Sequence, residues 1–179
     1  MKYHPVVEIS RASIEKMDLE VISRFLQSRK PQVCLEIGTW KGYSAEFWLE
    51  LFRPEIFITI EKEPKMEDAV EMTRAGVHYL WGHDSRSIDT YKKVHGILND
   101  RLVDFLFIDG DHSYDGVMDD WSNYSQLMAK GSVVIFHDCC YHSEGTEEAD
   151  VFWNMIKKDK NYIEVKSTPT STGIGIILL

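Results

Sequence analysis

The chain has 179 residues, of which 44% are hydrophobic and 27% are charged, and its formal net charge is −9 at pH 7. This length can bury a substantial core, so we expect one globular domain. The acidic balance argues against a binder of duplex nucleic acid and against docking on anionic membranes, because both need basic surfaces. No apolar run is long enough to span a membrane, and the N-terminal segment lacks the apolar core of a signal peptide. We therefore expect a cytoplasmic protein.

Apolar runs alternate with helix-like patterns along the chain, which is typical of a largely parallel sheet built from strand–helix units. The predicted strands are Val33–Ile37, Ile56–Glu61, Val77–Trp81, Val103–Asp109, Ser132–Phe136, Tyr162–Val165 and Ile174–Leu178. The predicted helices are Ser13–Arg29, Ser44–Phe52, Met66–Ala75, a loop and helix over Ser87–Leu98, Val117–Met128 and Ala149–Lys158. We expect an N-terminal helical segment over residues 1–30 and one α/β domain over 31–179.

The junction after the first predicted strand is the most informative part of the sequence. The turn between Gly38 and Gly42 leads into a helix, and such a turn brings backbone N–H groups and a helix N-terminus close to a ligand. The turn lacks the GxGxxG pattern of a dinucleotide site, because Trp40 stands where the middle glycine often lies. A bulky residue there disfavours a pyrophosphate and is compatible with a ligand that has no phosphate.

Four of the predicted strands end with acidic or polar residues or run directly into them. These residues are Glu36, Glu61, the pair Asp84 and Ser85, and Asp109. In a parallel sheet these strand ends lie on one edge, where carboxylates can accept hydrogen bonds from ribose hydroxyls, an adenine amino group or a ligand ammonium. Each residue taken alone could instead cap a helix or face water. The set as a whole favours a small-molecule site.

These segments resemble the class I S-adenosylmethionine-dependent methyltransferases, and in particular the branch of cephalosporin-hydroxylase-like and macrolide-sugar O-methyltransferases. The motifs that carry the resemblance are EIGTWKGYS at 36–44, IEKEP at 60–64, GHDS at 82–85, FIDGDHSYDGVMDDW at 107–121 and GSVVIFHDC at 131–139. The resemblance implies a Rossmann-like, seven-stranded, mostly parallel sheet. Its order would be 3-2-1-4-5-7-6, with the last strand antiparallel and helices on both faces.

The resemblance also implies roles by position. Gly38 and its neighbours would approach the methionine part of S-adenosylmethionine, Glu61 would bind the ribose hydroxyls, and Asp84 and Ser85 would lie near the adenine. The full set of implied cofactor-binding residues is Glu36, Gly38, Thr39, Gly42, Ser44, Glu61, Asp84, Ser85 and Asp109.

Asp109, His137 and Asp138 form a candidate metal site, because metal-dependent O-methyltransferases of similar fold hold a divalent cation after strands four and five. Oxygen ligands favour Mg²⁺, Ca²⁺ or Mn²⁺, and a histidine shifts the preference toward Mn²⁺, Zn²⁺, Fe²⁺ or Ni²⁺. The cation would bind the acceptor oxygen and lower its pKa. The alternative is that His137 and Asp138 only shape the pocket through hydrogen bonds.

His112 is the preferred general base if no metal acts, since an imidazole can accept a hydroxyl proton near neutral pH. Alternatively, it is a loop residue that hydrogen-bonds Asp111 or Tyr114. The candidate catalytic residues are thus His112, Asp109 and His137.

The function expected from these features is methyl transfer from S-adenosylmethionine to a small-molecule or glycan acceptor, with oxygen as the favoured target. A divalent cation, Mg²⁺ or Mn²⁺, is a second expected cofactor. Two rivals stay open: a non-catalytic nucleotide- or nucleoside-binding module of the same fold, and an NAD-dependent oxidoreductase, which the absent GxGxxG weakens. A homo-oligomer would be consistent with so short a chain.

Overall fold

The computed structural model of the chain describes residues 16–63, 75–140, 148–166 and 172–179. The helices are α1 (Lys16–Leu26), α2 (Tyr43–Phe52), α3 (Ile88–Leu98), α4 (Tyr114–Tyr124) and α5 (Ala149–Ile156), with short 3₁₀ turns at Ser125–Leu127 and Lys157–Asp159. The strands are β1 (Val33–Ile37), β2 (Ile56–Glu61), β3 (Val77–Trp81), β4 (Val103–Ile108), β5 (Met128–His137), β6 (Asn161–Val165) and β7 (Ile174–Leu178).

The strands form one seven-stranded sheet in the order β3-β2-β1-β4-β5-β7-β6. Neighbouring strands from β3 to β5 are parallel, and β7 runs antiparallel to both β5 and β6. The predicted Rossmann-like fold, its strand order and its antiparallel last strand are therefore confirmed. The carboxyl ends of β1, β2, β3 and β4 lie side by side, so the residues that follow them share one edge of the sheet.

Helices cover both faces of this sheet. Helices α1 and α2 pack on one face, where Ile22 and Trp48 belong to the same buried cluster as Cys34. Helices α3, α4 and α5 pack on the other face, against Leu35 and Ile37. Strand β1 is buried at every position because neither of its faces meets water.

Helix α4 differs from its prediction at both ends. It begins at Tyr114, earlier than Val117, because the Ser113 side chain accepts a hydrogen bond from the Gly116 N–H and caps the first turn. The prediction ran the helix to Met128, but that residue already pairs with Val103 as the first residue of β5. Pairing across the sheet thus overrides the helical pattern of this segment.

Two predicted helices extend beyond the described residues. The helix expected at Met66–Ala75 lies outside them except for its last residue, and the helix expected from Ser13 is described only from Lys16. Within the described ranges, no helix combines the length and the apolar character that a membrane span requires.

Candidate active site

A cavity of about 450 Å³ opens at the carboxyl edge of the sheet. Its wall includes five of the residues implied as cofactor ligands: Gly38, Glu61, Asp84, Ser85 and Asp109. They lie at the carboxyl ends of β1, β2, β3 and β4 or in the segments directly after them. The prediction that these separate strand ends meet at one site is borne out by their positions on a common wall.

Only glycine fits at position 38, because both the backbone conformation and the space around it exclude a side chain. Its φ is +90°, and a Cβ atom at this position would lie 2.0 Å from the backbone oxygen of Asp109. The Asp109 N–H also donates to the Ile37 oxygen at 2.8 Å, so β1 and β4 remain joined at their ends. The absence of a side chain at Gly38 therefore lets two walls of the cavity touch through their backbones.

Glu61 is held in place by two backbone donors. Its Oε2 accepts from the Trp40 N–H at 2.6 Å, and its Oε1 accepts from the Glu63 N–H at 2.8 Å. Each carboxylate oxygen keeps a second lone pair for a further donor. Glu61 is thus preorganised to accept from a pair of hydroxyl groups, such as those of a ribose.

Asp84 lies across the cavity among cationic groups. It accepts from the Arg86 N–H at 3.0 Å, and Lys62 lies 3.1 Å away. Burial acts to raise the pKa of Asp84, but the Arg86 and Lys62 contacts outweigh it and the pKa is lowered. Arg86 also reaches Asp111 at 3.1 Å, so it links the loops after β3 and β4.

Glu36 and Thr39, both implied as cofactor ligands, are buried and lie outside the cavity wall. Thr59 on β2 donates to Glu36 Oε2 at 2.6 Å and also hydrogen-bonds Thr39. Burial raises the pKa of Glu36 to about 8, although the hydrogen bond from Thr59 acts in the opposite direction. The Glu36 side chain is thus placed to brace the glycine turn from below.

Gly42 and Ser44, two further implied cofactor ligands, are likewise buried outside the wall. Gly42 has a φ of +88° and stands at the N-cap of α2, where it turns the chain into the helix. Its conformation therefore shapes the turn whose other end, Gly38, does line the cavity.

At one end of the cavity lies a compact group that we call the Asp–His cluster: Asp109, His112, His137 and Asp138. Asp109 Oδ1 lies 2.8 Å from His137 Nδ1 and 3.2 Å from His112 Nε2. His112 Nδ1 is 3.5 Å from Asp138 Oδ2. One candidate ligand atom from each residue lies within 4.8 Å of all the others.

The charges within this cluster depend on one another. Burial lowers the pKa of His137, but Asp109 more than offsets this and the pKa rises to about 9. Burial likewise lowers the pKa of His112, and Asp109 and Asp138 raise it overall. Asp109 shows the opposite response, since burial raises its pKa and the two imidazoles bring it below its usual range.

The donor set fits a divalent cation. Two carboxylates and two imidazoles converge, which suits Mn²⁺ or a later transition metal better than Mg²⁺, whose sites are built from oxygen. His112 was predicted as a base rather than a ligand, and the structure brings it into the same cluster. Its position three residues after Asp109 was the available signal, because a short turn can aim both side chains inward.

The contact of Thr172 with Asp138 was not predicted from the sequence. Its hydroxyl donates to Asp138 Oδ1, and its backbone oxygen accepts from the Cys140 N–H at 3.0 Å. Asp138 itself has a φ of +52°. No motif marks Thr172, since its role arises only from the pairing of β5 with β7.

The sequence profile of the methyltransferase domain matches residues 35–139, and the chain belongs to that family. This span contains the glycine turn, the whole cavity wall and the whole Asp–His cluster. The resemblance seen in the sequence is therefore confirmed.

A curated relative, the uncharacterized protein R132 of Acanthamoeba polyphaga mimivirus, is 28% identical over 110 residues. The match covers 58% of this chain and 50% of the relative, so the chain spans about half the length of the curated protein it matches.

Two solved structures show the same fold. Cofactor-bound Rv0187 from MTB has a TM-score of 0.72 and 20% identity, with 94% of this chain and 82% of that chain covered. The MycE methyltransferase of the mycinamycin biosynthetic pathway, in complex with Mg, SAH and mycinamycin VI, has a TM-score of 0.63 and 14% identity. That match covers 88% of this chain and 48% of MycE.

Proposed function

We propose that this chain is an S-adenosylmethionine-dependent O-methyltransferase that acts on a small hydroxylated acceptor with the help of a divalent cation. The observation that carries the proposal is the position of Asp109, which lines the cavity and also belongs to the Asp–His cluster. A nucleoside site and a site able to activate a hydroxyl group thus share one residue. MycE, which has the same fold, was solved with both Mg and SAH.

The nucleoside is proposed to lie with its ribose at Glu61, its adenine beside Asp84 and Ser85, and its methionine part over Gly38. The bound sulfonium would supply an electrophilic methyl group, so the protein mainly aligns the reactants and excludes water. Trp40 lies at the cavity wall with 41% of its surface exposed. Its indole would restrict access for a dinucleotide, which argues against the alternative of an NAD-dependent oxidoreductase.

The Asp–His cluster would bind the cation through Asp109, His137 and Asp138, with His112 as a fourth ligand or as the base. The cation would supply Lewis acidity that lowers the pKa of an acceptor hydroxyl. Because the pKa of His137 is raised to about 9, its imidazole keeps a proton near neutral pH, and cation binding at this residue must release that proton. We propose Mn²⁺ ahead of Mg²⁺ for this mixed donor set.

The convergence of Asp109, His137 and Asp138 beside an open cavity favours an enzyme over the non-catalytic nucleoside-binding alternative. A glycan acceptor, a homo-oligomeric state and a cytoplasmic location stay predictions.

Isothermal titration with S-adenosylmethionine and S-adenosylhomocysteine tests the proposal first. We expect micromolar binding by the unmodified chain and roughly tenfold weaker binding by Glu61→Gln, because a charged acceptor for two hydroxyls is lost. Glu20→Gln makes the same chemical change on the exposed side of α1 and should leave binding unchanged. Failure of the unmodified chain to bind either ligand at millimolar concentration would overturn the proposal.

Methyl transfer itself is tested with labelled S-adenosylmethionine and a panel of phenolic and sugar acceptors, each with Mn²⁺, Mg²⁺ or a chelator. We expect transfer to at least one acceptor class and the fastest transfer with Mn²⁺. Binding without transfer to any member of a broad panel would favour the nucleoside-binding alternative.

A further inference from the structure

Helix α4 fixes the position of Ser85 through two contacts. Asp120 Oδ1 accepts from the Ser85 hydroxyl at 2.6 Å, and the Tyr124 hydroxyl donates to the Ser85 backbone oxygen at 2.8 Å. Asp120 and Tyr124 are one helical turn apart, so both side chains extend from the same face of α4. Ser85 therefore has both its side chain and its backbone anchored to the buried face of α4.

Asp120 lies behind the cavity wall. Its side chain is almost fully buried, and its Oδ2 lies 3.3 Å from the point where a Cβ on Gly110 would be. Ser85 and Gly110 both line the cavity. Asp120 thus supports the two wall segments that follow β3 and β4 without reaching the cavity surface itself.

The direction of the Asp120–Ser85 hydrogen bond decides what Ser85 offers to a ligand. A carboxylate can only accept, so an ionised Asp120 accepts a hydrogen bond from the Ser85 hydroxyl and leaves the lone pairs of Oγ to face the cavity. A protonated Asp120 can donate to Oγ, which frees the Ser85 O–H to donate into the cavity. We propose that Asp120 is a positioning residue: its protonation state sets whether the Ser85 hydroxyl donates a hydrogen bond to the nucleobase or accepts one from it. This choice is the hydrogen-bonding polarity of Ser85, and the inference rests on the function proposed above.

Groups on each neighbouring element influence the charge of Asp120. Arg86 and Asp84 face it from the loop after β3, Asp111 faces it from the loop after β4, and Tyr124 lies on its own helix. Burial raises the pKa of Asp120 to about 7, while the Ser85 hydrogen bond and Arg86 act against that shift. The polarity of Ser85 is thus expected to reverse within the range from pH 6 to pH 8.

Two ligands distinguish this role from simple support of the fold. S-adenosylhomocysteine presents an amino group and a bare ring nitrogen at the edge of its base. In S-inosylhomocysteine a carbonyl and a ring N–H replace them, so donor and acceptor are exchanged at both positions. Ser85 can face either the exocyclic group or the ring nitrogen of the base. In both cases, its preference between the two ligands must change when its hydroxyl switches between donating and accepting the hydrogen bond.

The test is to measure the dissociation constants of both ligands by isothermal titration at pH 6 and pH 8. For the unmodified chain we expect the ratio of the two constants to shift by roughly 3- to 10-fold between these pH values, the size of one hydrogen bond. In Asp120→Asn the ratio should be independent of pH, because the amide does not titrate. The titration of every other ionisable group affects the ratio in both proteins equally, so it cancels when the two pH profiles are compared.

Ser85→Ala provides a second variant that removes the hydroxyl while keeping Asp120. Its ligand ratio should not change with pH, and adding Asp120→Asn to it should have no further effect on the ratio. Thermal unfolding of each variant checks that it is folded.

An unchanged pH profile of the ratio in Asp120→Asn or in Ser85→Ala would overturn the inference while leaving the proposed function in place. A pH-independent ratio in the unmodified chain would do the same. If the unmodified chain bound neither nucleoside ligand, the proposed function and the inference would both be lost.

Discussion

The two ends of the cavity hold their carboxylates in different ways. At the end proposed above to bind the nucleoside, here called the nucleoside end, Glu61 accepts from two backbone N–H groups. Asp84, at the same end, is held by the Arg86 N–H with Lys62 nearby. At the other end, Asp109 depends on the imidazoles of His112 and His137. The first kind of donor is permanent near neutral pH, whereas the second can lose its proton or be replaced by a cation.

This difference separates two tasks. Permanent donors preorganise a binding surface, which suits a neutral ribose and base that must be bound in the same way at every turnover. Titratable donors leave a site whose charge changes when a cation arrives, which suits the activation of a hydroxyl group. Asp109 belongs to both ends, and the following substitutions separate the contributions of the two.

Gly38→Ala should have the largest effect, because it damages the point where the two ends are joined. The new Cβ would collide with the Asp109 backbone at 2.0 Å and sit at a φ of +90°. Strain and overpacking together are expected to lower the free energy of unfolding by about 3–5 kcal/mol. Chemical denaturation measures this loss, and binding of S-adenosylhomocysteine should become undetectable.

Gly96→Ala is the matched control for that substitution. Gly96 lies within α3, and a Cβ there would meet no atom within 4 Å. Alanine is the better helix former, so stability should rise by about 0.5–1 kcal/mol. Equal losses in the two variants would show that close contact at Gly38 is not the cause.

Glu36→Gln tests the buried support beneath the glycine turn. The folded chain keeps the Glu36 proton up to about pH 8, whereas an unfolded glutamic acid loses it at a pKa of about 4.3. The unfolded state therefore binds fewer protons in this window, and the free energy of unfolding must fall as pH rises through it.

We expect the stability of the unmodified chain to fall by about 2–4 kcal/mol between pH 5 and pH 8 from this group alone. Glu36→Gln keeps an acceptor for Thr59 and carries no ionisable proton, so its profile should be flatter and its stability at pH 8 higher. Parallel denaturation profiles for the two proteins would contradict the assignment.

Asp109→Asn should disable the cluster end more than the nucleoside end. The variant loses the anionic ligand shared by His112 and His137, and we expect Mn²⁺ affinity to fall about 10- to 100-fold. Affinity for S-adenosylhomocysteine should change less, because Glu61 and the Asp84 loop are intact. Asp89→Asn on the exposed side of α3 is the control and should leave both affinities unchanged. Equal losses of Mn²⁺ affinity and S-adenosylhomocysteine affinity in Asp109→Asn would contradict the distinction between the two ends.

The parts of this molecule that could be predicted are those encoded by local patterns. Strands β1, β2, β3 and β7 follow mainly apolar runs, and their bounds match the prediction. The sequence therefore predicts that Glu61, Asp84 and Asp109 lie at one edge of the sheet.

Other features depend on packing that no local pattern contains. Strand β1 is buried on both faces, so alternation could not tell that Glu36 would be buried against Thr59 outside the cavity wall. Asp120 and Thr172 reach Ser85 and Asp138 only because α4 and β7 pack beside the site. Such contacts between distant parts of the chain become visible only in three dimensions.

Lys62→Met should have the smallest effect of the set. The Lys62 side chain is 56% exposed and lies 3.1 Å from Asp84, and exposed ion pairs contribute about 1 kcal/mol or less. Affinity for S-adenosylhomocysteine should therefore fall by less than about fivefold, and the difference should shrink in high salt. Arg86→Met should cost more affinity, because Arg86 contacts both Asp84 and Asp111. A loss of affinity well above this range in Lys62→Met would mean that the nucleoside end depends on long-range charge rather than on its backbone N–H donors. The contrast between that end and the Asp–His cluster would then be wrong.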